Sequence, residues 1–405
     1  LTVTNGTFDK STRTITGIVS SAYHLHVGVD DTLWYTNYLI MNRAGPTFMP
    51  VSDLGGIGAT LTLGTLDMGE DYLLTLTGDL LINGGTLDAV NSSMGIDIAG
   101  NVTISSGTLS APANLFYVGG SWSITSTGIF TPNSGRVVFD ATSGTKTIVT
   151  TSSGACVFYD VTFNGSGGTW SLSDDLTVNN NMYVTAGTFD SLSYKVIGSG
   201  ANILDVTGTI KVGASTFAGS YESFETRTLN AGSTVNYAGT TQTVDSTLSY
   251  ANLSISGSAT KTLDGTADLT GNLAVDAGTL ATAGYAVNVD GNIAINGTSV
   301  VSSTGALILC ADHDNNASGT FTMASGASLS ATTTVTLDAS GAMTLYAITN
   351  SGANNITIGT NRKPSSVTIS GVISNSTTTG NTCTIYSNGN ITRAANIGST
   401  TRAFT

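Results

Sequence analysis

Charge, aromatic rings, proline and cysteine are all scarce in this chain. Charged residues fill 10% of its 405 positions and aromatic ones 7%. Five prolines exclude a proline-rich linker. Cys156, Cys310 and Cys383 are odd in number, far apart and free of any Cys-x-x-Cys pair, so zinc ribbons and dithiol redox chemistry drop out. They read as small core residues, and the fold must stand on packing and backbone pairing. No run approaches the ~20 apolar residues that a membrane helix requires. Basic residues number 13 against 26 acidic ones, a net charge of −13, so there is no basic surface for phosphate backbones or anionic lipid. The chain starts at Leu1 without a charged-then-apolar leader and reads as a mature or excised segment.

What is present is an alphabet of strands and turns. Glycine occurs 49 times, and Thr, Ser, Asn, Ala, Val, Leu and Ile make up most of the rest. A hydrophobic share of 40%, evenly spread, can bury a core and argues against disorder.

Internal repeats are the strongest signal in the sequence. One phrase recurs: an alternating strand, Gly-Thr, an apolar residue and often Asp. It stands at Leu1–Asp9, Leu80–Asp88, Val102–Ser110, Met182–Asp190 and Leu273–Ala281. Gly85 and Gly107 of this phrase lie 22 residues apart, which sets a coil of ~20 residues. Gly78-Asp79, Gly100-Asn101, Gly271-Asn272 and Gly291-Asn292 precede strands and read as turn dipeptides supplying a positive φ. A longer block, 135–190, is repeated at 232–281. Runs such as Thr60–Leu63 and Asn355–Ile358 place apolar side chains at every second position, the period of a strand with one buried face. No window keeps the helical i, i+3, i+4, i+7 pattern.

These features predict an all-β fold, a single elongated parallel β-helix (β-solenoid) with ~20-residue coils and almost no helix. A string of antiparallel β-sandwiches is the alternative, because the longer repeat also suits domains of ~100 residues. Three stretches break the rhythm: the aromatic-rich residues 20–56, the segment 214–231, expected as a loop, and the segment 303–320.

Candidate chemistry is sparse. Asp312, Asp314 and Asn316 alternate like the opening of a calcium loop, although Ala317 and Met323 stand where Gly and a bidentate Glu would be needed. A solvated turn is the plainer reading, and calcium is the one cofactor the pattern admits. Asp30-Asp31, Glu70-Asp71 and Asp174-Asp175 are adjacent pairs, and neighbours on a strand face opposite ways, which is poor geometry for sharing a proton. His24 and His26 share a strand face without a further ligand nearby before Asp30. No Gly-x-Ser-x-Gly elbow is backed by a triad, and Gly55–Gly58 lacks the lysine of a phosphate loop. No catalytic residues are assigned, and an enzyme is not expected. Sequons at Asn5, Asn101, Asn164, Asn252, Asn296 and Asn390 would suit an exposed surface protein.

The stretch Ala331–Ile358 (ATTTVTLDASGAMTLYAITNSGANNITI) resembles the repeats of filamentous-haemagglutinin-like adhesins and autotransporter passenger segments. The phrases in residues 78–110 and 271–298 are similar to repeats of very large secreted bacterial proteins. The resemblance implies a right-handed parallel β-helix at a bacterial surface. Neither a secretion domain, nor an outer-membrane barrel, nor an Arg-Gly-Asp tripeptide accompanies it.

The expected organisation is therefore an N-terminal coil with an aromatic-rich cap, insertion or interface in residues 1–56. Solenoid repeats follow in 57–405, with adhesin-like coils at 331–400. Tyr23, Trp34, Tyr35, Tyr38 and Phe48 are the expected contact residues, since aromatic side chains dominate interface energetics. The expected role is structural and extracellular or cell-surface: a stiff subunit or segment of a filament, fibre or adhesin that self-associates and meets surface glycans or a neighbouring cell. A carbohydrate-binding or polysaccharide-degrading β-helix is the rival, with Trp122, Trp170, Tyr183 or Tyr194 as sugar platforms.

Overall fold

A computed structural model describes residues 15–17, 23–25, 33–50, 53–150, 156–352, 354–375 and 381–395. Strand accounts for 58% of it and helix for 1%, against about 20–25% strand in an ordinary soluble domain. The fold is a parallel β-solenoid of stacked coils, each of about 22 residues. The chain forms two compact units. Unit 1 comprises Leu1–Asp205 with Tyr221–Thr228, and unit 2 comprises Val206–Ser220 with Leu229–Thr405. The repeated blocks 135–190 and 232–281 fall one in each unit.

In unit 1, Asp53–Asp67 pairs with Leu80–Asp88, which pairs with Val102–Ser110, which pairs with Trp122–Thr131, all in parallel. Antiparallel hairpins of a sandwich are absent from these pairings, and the reason lies in the repeat. Each phrase puts the same alternation at the same place in the coil, so Leu61, Ile82, Ile104 and Ile124 stack inward as register partners. Each strand bends at its glycines, where the register shifts between Ile82 and Thr86. Gly107 is needed there twice over: its φ is +85°, and a Cβ would lie 2.2 Å from the Gly85 carbonyl oxygen. A second face runs through Leu74–Leu76, Ile96–Ile98, Leu115–Val118 and Arg136–Phe139.

In unit 2 the coil is three-sided. Face A runs through Thr234–Tyr237, Asn252–Ile255, Leu273–Val275 and Ile293–Ile295, and onward through Phe321–Met323 to Ile391–Arg393. Face B holds Gln242–Val244, Thr260–Leu263, Thr279–Ala281, Val300–Ser303, Ser328–Ala331, Ala347–Asn350 and Ile373–Asn375. Face C holds Ala267–Leu269, Ala286–Val289, Leu307–Ala311, Val335–Asp338, Ile356–Ile358 and Cys383–Ile385. The inward residues are aliphatic and almost fully excluded from water, as in the column Leu253, Leu273, Ile293.

Amide and carboxylate ladders tie the turns. Asn252 Oδ1 accepts the Asn272 backbone N–H at 2.8 Å, Asn272 Oδ1 accepts that of Asn292 at 2.9 Å, and Asn292 Oδ1 accepts that of Thr320 at 2.9 Å. In unit 1, Asp79 Oδ1 accepts the Asn101 N–H at 2.6 Å, and Asn101 Oδ1 accepts that of Ser121 at 2.8 Å. Gly78, Gly100, Gly271 and Gly291, which precede Asp79, Asn101, Asn272 and Asn292, do not supply a positive φ, contrary to expectation. At Gly271 a Cβ would stand 2.7 Å from the Ala251 carbonyl oxygen and 2.5 Å from Asn252 Oδ1, so close approach of the coil below is what demands glycine. Gly100 and Gly291 are hemmed in alike.

Two irregular stretches resolve differently. The segment 214–231 is mostly not a loop: it contains the one-turn helix Phe217–Ser220 and the strand Tyr221–Leu229. The segment 303–320 contains a true loop after Leu307–Ala311. It lengthens its coil to 28 residues between Asn292 and Thr320, against 20 between Asn272 and Asn292.

Candidate functional site

Among the described residues, a set of reactive side chains lies on face C of unit 2. Asp268, Asn288, Cys310 and Asp338 are successive register partners on its outer side. Asn288 Nδ2 donates to Asp268 Oδ1 at 2.7 Å. Beside them a groove of about 270 Å³ is lined by Ser249, Asp268, Leu269, Thr270, Asn288, Asp290 and His313. His313 Nδ1 lies 3.8 Å from Asp290 Oδ1.

The loop that carries His313 is pinned from two coils away. The Arg362 guanidinium donates to the His313 carbonyl through Nη2 and to Cys310 Sγ at 3.4 Å through Nη1. The backbone N–H groups of Asn361 and Arg362 in turn meet Asp338 Oδ1 at 3.0 and 3.4 Å. Cys310 is only 6% exposed, and burial pushes its thiol up to about 11 despite the nearby guanidinium. A resting thiol, not a nucleophilic thiolate, sits there.

Asp312, Asp314 and Asn316 stand in this loop. Asp312 is buried, with φ +58° and a carboxylate turned inward to accept the Ala317 N–H at 3.2 Å. Burial raises its pKa, but hydrogen bonds from the Ser340 side chain and the backbone of Ser318, Ala317 and Asn316 outweigh that and hold it below the usual carboxylate value. Asp314 and Asn316 are exposed and bond to each other at 2.8 Å, while Asn316 Oδ1 also accepts from Ser318. Among the described residues, no three of His, Cys, Asp and Glu gather in a way that could hold a metal ion.

The acidic pairs divide their work between coils. Asp174 accepts the Thr150 N–H at 2.8 Å and its hydroxyl at 2.9 Å, whereas Asp175 accepts the Lys195 N–H at 2.9 Å. Glu70 and Asp71 are exposed, and Asp30 and Asp31 lie outside the described residues. On unit 1, Asp97 and Asp140 have carboxyls raised above the ordinary range. Burial is the main cause for both, and repulsion from Asp97 adds to it at Asp140.

The aromatic side chains correct the sugar-platform reading. Trp122 and Trp170 are fully buried, Trp122 packing edge-on to Phe130 at 4.9 Å and Trp170 lying 5.3 Å from Phe163. They are core. Tyr183 lies under the Arg136 guanidinium at 4.6 Å, and Tyr194 is half-buried. The expected contact residues belong to the strands Tyr23–Leu25 and Leu33–Pro50, which run parallel to each other, and Leu33–Pro50 pairs onward with Asp53–Asp67. The side chains of Tyr23, Trp34, Tyr35, Tyr38 and Phe48 lie outside the described part, as do that of His24 and all of His26.

Sequence reasoning singled out the 312–316 loop but missed Asp268, Asp290 and Arg362. The signal available was coil-period spacing: Asp268, Asn288, Cys310 and Asp338 fall together only once each strand is placed in register. No helix among the described residues is long and apolar enough to cross a membrane. No protein-family model, no curated protein and no solved structure matches the chain.

Proposed function

We propose that the chain is an extracellular structural protein, a subunit or segment of a surface filament, fibre or adhesin, acting through its stacked coils and through association with further copies. What supports this reading is the use to which its polar side chains are put. Asp79, Asp174, Asp175 and the Asn252–Asn272–Asn292 column all bind backbone groups of a neighbouring coil, so these carboxylates and amides stiffen the stack. The resemblance of Ala331–Ile358 to adhesin repeats points the same way. A parallel coil stack also has, wherever it stops, a strand edge with unpaired N–H and C=O groups that favours joining to another strand.

Electron microscopy of the purified chain, run beside incubation with a panel of polysaccharides, tests the proposal. Filaments or aligned stacks with intact polysaccharide are expected. Monodisperse particles that shorten a polysaccharide would favour the carbohydrate-degrading rival and sink the structural reading.

A further inference from the structure

The inward column of face B is aliphatic over most of its length, through Leu280, Val301, Leu329 and Ile348. Its first two rungs are not. Gln242 and Lys261 are register partners on consecutive coils, 2% and 0% exposed. We propose that Gln242 and Lys261 form an intrachain amide cross-link between these two coils. The inference stands apart from the filament reading and does not rest on it.

The Lys261 ammonium has one hydrogen bond, to the Ala259 carbonyl at 3.2 Å, and no carboxylate partner, an arrangement that disfavours the charged form strongly. Burial accordingly lowers its pKa and favours the neutral amine, which is the nucleophile. Inward side chains on adjacent rungs sit about 4.8 Å apart, within reach of a four-carbon stem. Gln242 Cδ lies 3.0 Å from where a Gly239 Cβ would be, and Lys261 Nζ lies 3.2 Å from a Gly257 Cβ position that is itself 2.8 Å from the Gly239 carbonyl oxygen.

The electrophile is held ready. The Gly239 N–H donates to Gln242 Oε1 at 2.9 Å, where negative charge gathers as the amide is attacked. Gln242 Nε2 is fixed by the carbonyls of Val212 at 2.8 Å and Ala214 at 2.6 Å. Lys261 Nζ adds to Cδ, a C–N bond forms, and the proton shed by the amine passes to Nε2. The Cδ–Nε2 bond then breaks and ammonia departs, so that one amide replaces another without oxidant or cofactor. Confinement of the two side chains on adjacent rungs of a dry column raises the rate of an exchange that is slow between free amine and amide, and escape of ammonia to solvent carries it forward.

The mass of the purified, folded wild-type chain decides. It is expected to be lighter than the sequence by one ammonia, with fragmentation placing the loss in a branched peptide that joins the segments holding Gln242 and Lys261. K261M and Q242E are expected at full sequence mass. A wild-type chain at full sequence mass, or an ammonia loss that maps to an Asn-Gly succinimide instead, overturns the proposal, and neither measurement depends on whether a variant folds.

Discussion

At the scale of single residues, glycine separates two physical demands that look alike in sequence. Gly297 has φ +55° and open space around its Cβ position, whereas Gly271 has an ordinary φ and a carbonyl 2.7 Å from where a Cβ would sit. Gly297→Asn should therefore fold within about 0.5 kcal/mol of wild type, because Asn tolerates the left-handed region. Gly271→Asn should be at least as damaging as Gly271→Ala, which forces the coils apart at a loss of about 1–3 kcal/mol. Denaturant midpoints check this, and equal tolerance of Asn at both positions would refute the close-approach account. Carboxylates divide in the same way. The raised pKa values of Asp97 and Asp140 mean that the folded state holds their protons more tightly than the unfolded chain. Their contribution to stability is therefore fully present below the ordinary carboxylate pKa near 3.8 and is lost as pH rises through the raised value. Asp140→Asn should thus stabilise unit 1 at neutral pH, with the gain vanishing toward pH 3. Asp312 has the opposite sign: its lowered pKa contributes stability above 3.8 that is lost as pH falls through the folded value. Asp312→Asn should therefore destabilise unit 2 at neutral pH, and melting each variant across pH tests both signs.

At the scale of strands and loops, most of the fold was legible because the repeat and the pleat agree. The phrases built on Gly-Thr and an apolar residue showed strands, inward faces and coil length together, since each states the same alternation at the same step. What escaped were features set by tertiary neighbours. Tyr221 is fully buried on a strand that its sequence, with Glu222, Glu225 and Arg227 close by, disguises as a loop. Trp122 and Trp170 looked available because a strand pattern does not tell the inner face from the outer for an isolated aromatic. Trp170 Nε1 has no hydrogen-bond partner, so Trp170→Phe removes an orphaned donor with modest loss of volume. It should cost less than about 1.5 kcal/mol, against about 3–5 for Trp170→Ala. The loop around His313 was visible only as a cluster of acids and amides, because the residue that pins it, Arg362, is 49 positions away. Arg362→Ala should free that loop and uncover Cys310. Faster labelling of Cys310 by a thiol reagent, read by peptide mass spectrometry with Cys156 as the internal control, is the expected result. An unchanged rate would mean that packing other than the guanidinium covers the sulfur.

At the scale of the whole molecule, a net charge of −13 sets the terms on which copies can meet. Two such chains repel at long range, and the repulsion is screened over about 10 Å at ~0.1 M salt. Association through strand edges and neutral Thr, Ser and Ala surfaces carries no compensating attraction between unlike charges. Such contacts should therefore strengthen as salt rises. Unit 2 offers such a surface: the outward positions of face B, among them Thr262, Ala281, Ser302, Ser330 and Thr349, carry no charge. The acidic residues Asp268, Asp290, Asp312 and Asp338 belong instead to face C and its loops. If self-association is the working state, sedimentation and light scattering should show the assembled fraction increasing from ~0.01 to ~0.15 M sodium chloride, as screening shortens the reach of the repulsion. A fraction that falls over the same range would mean that opposite charges hold the copies together. The basic residues, outnumbered two to one, would then have to be the contact.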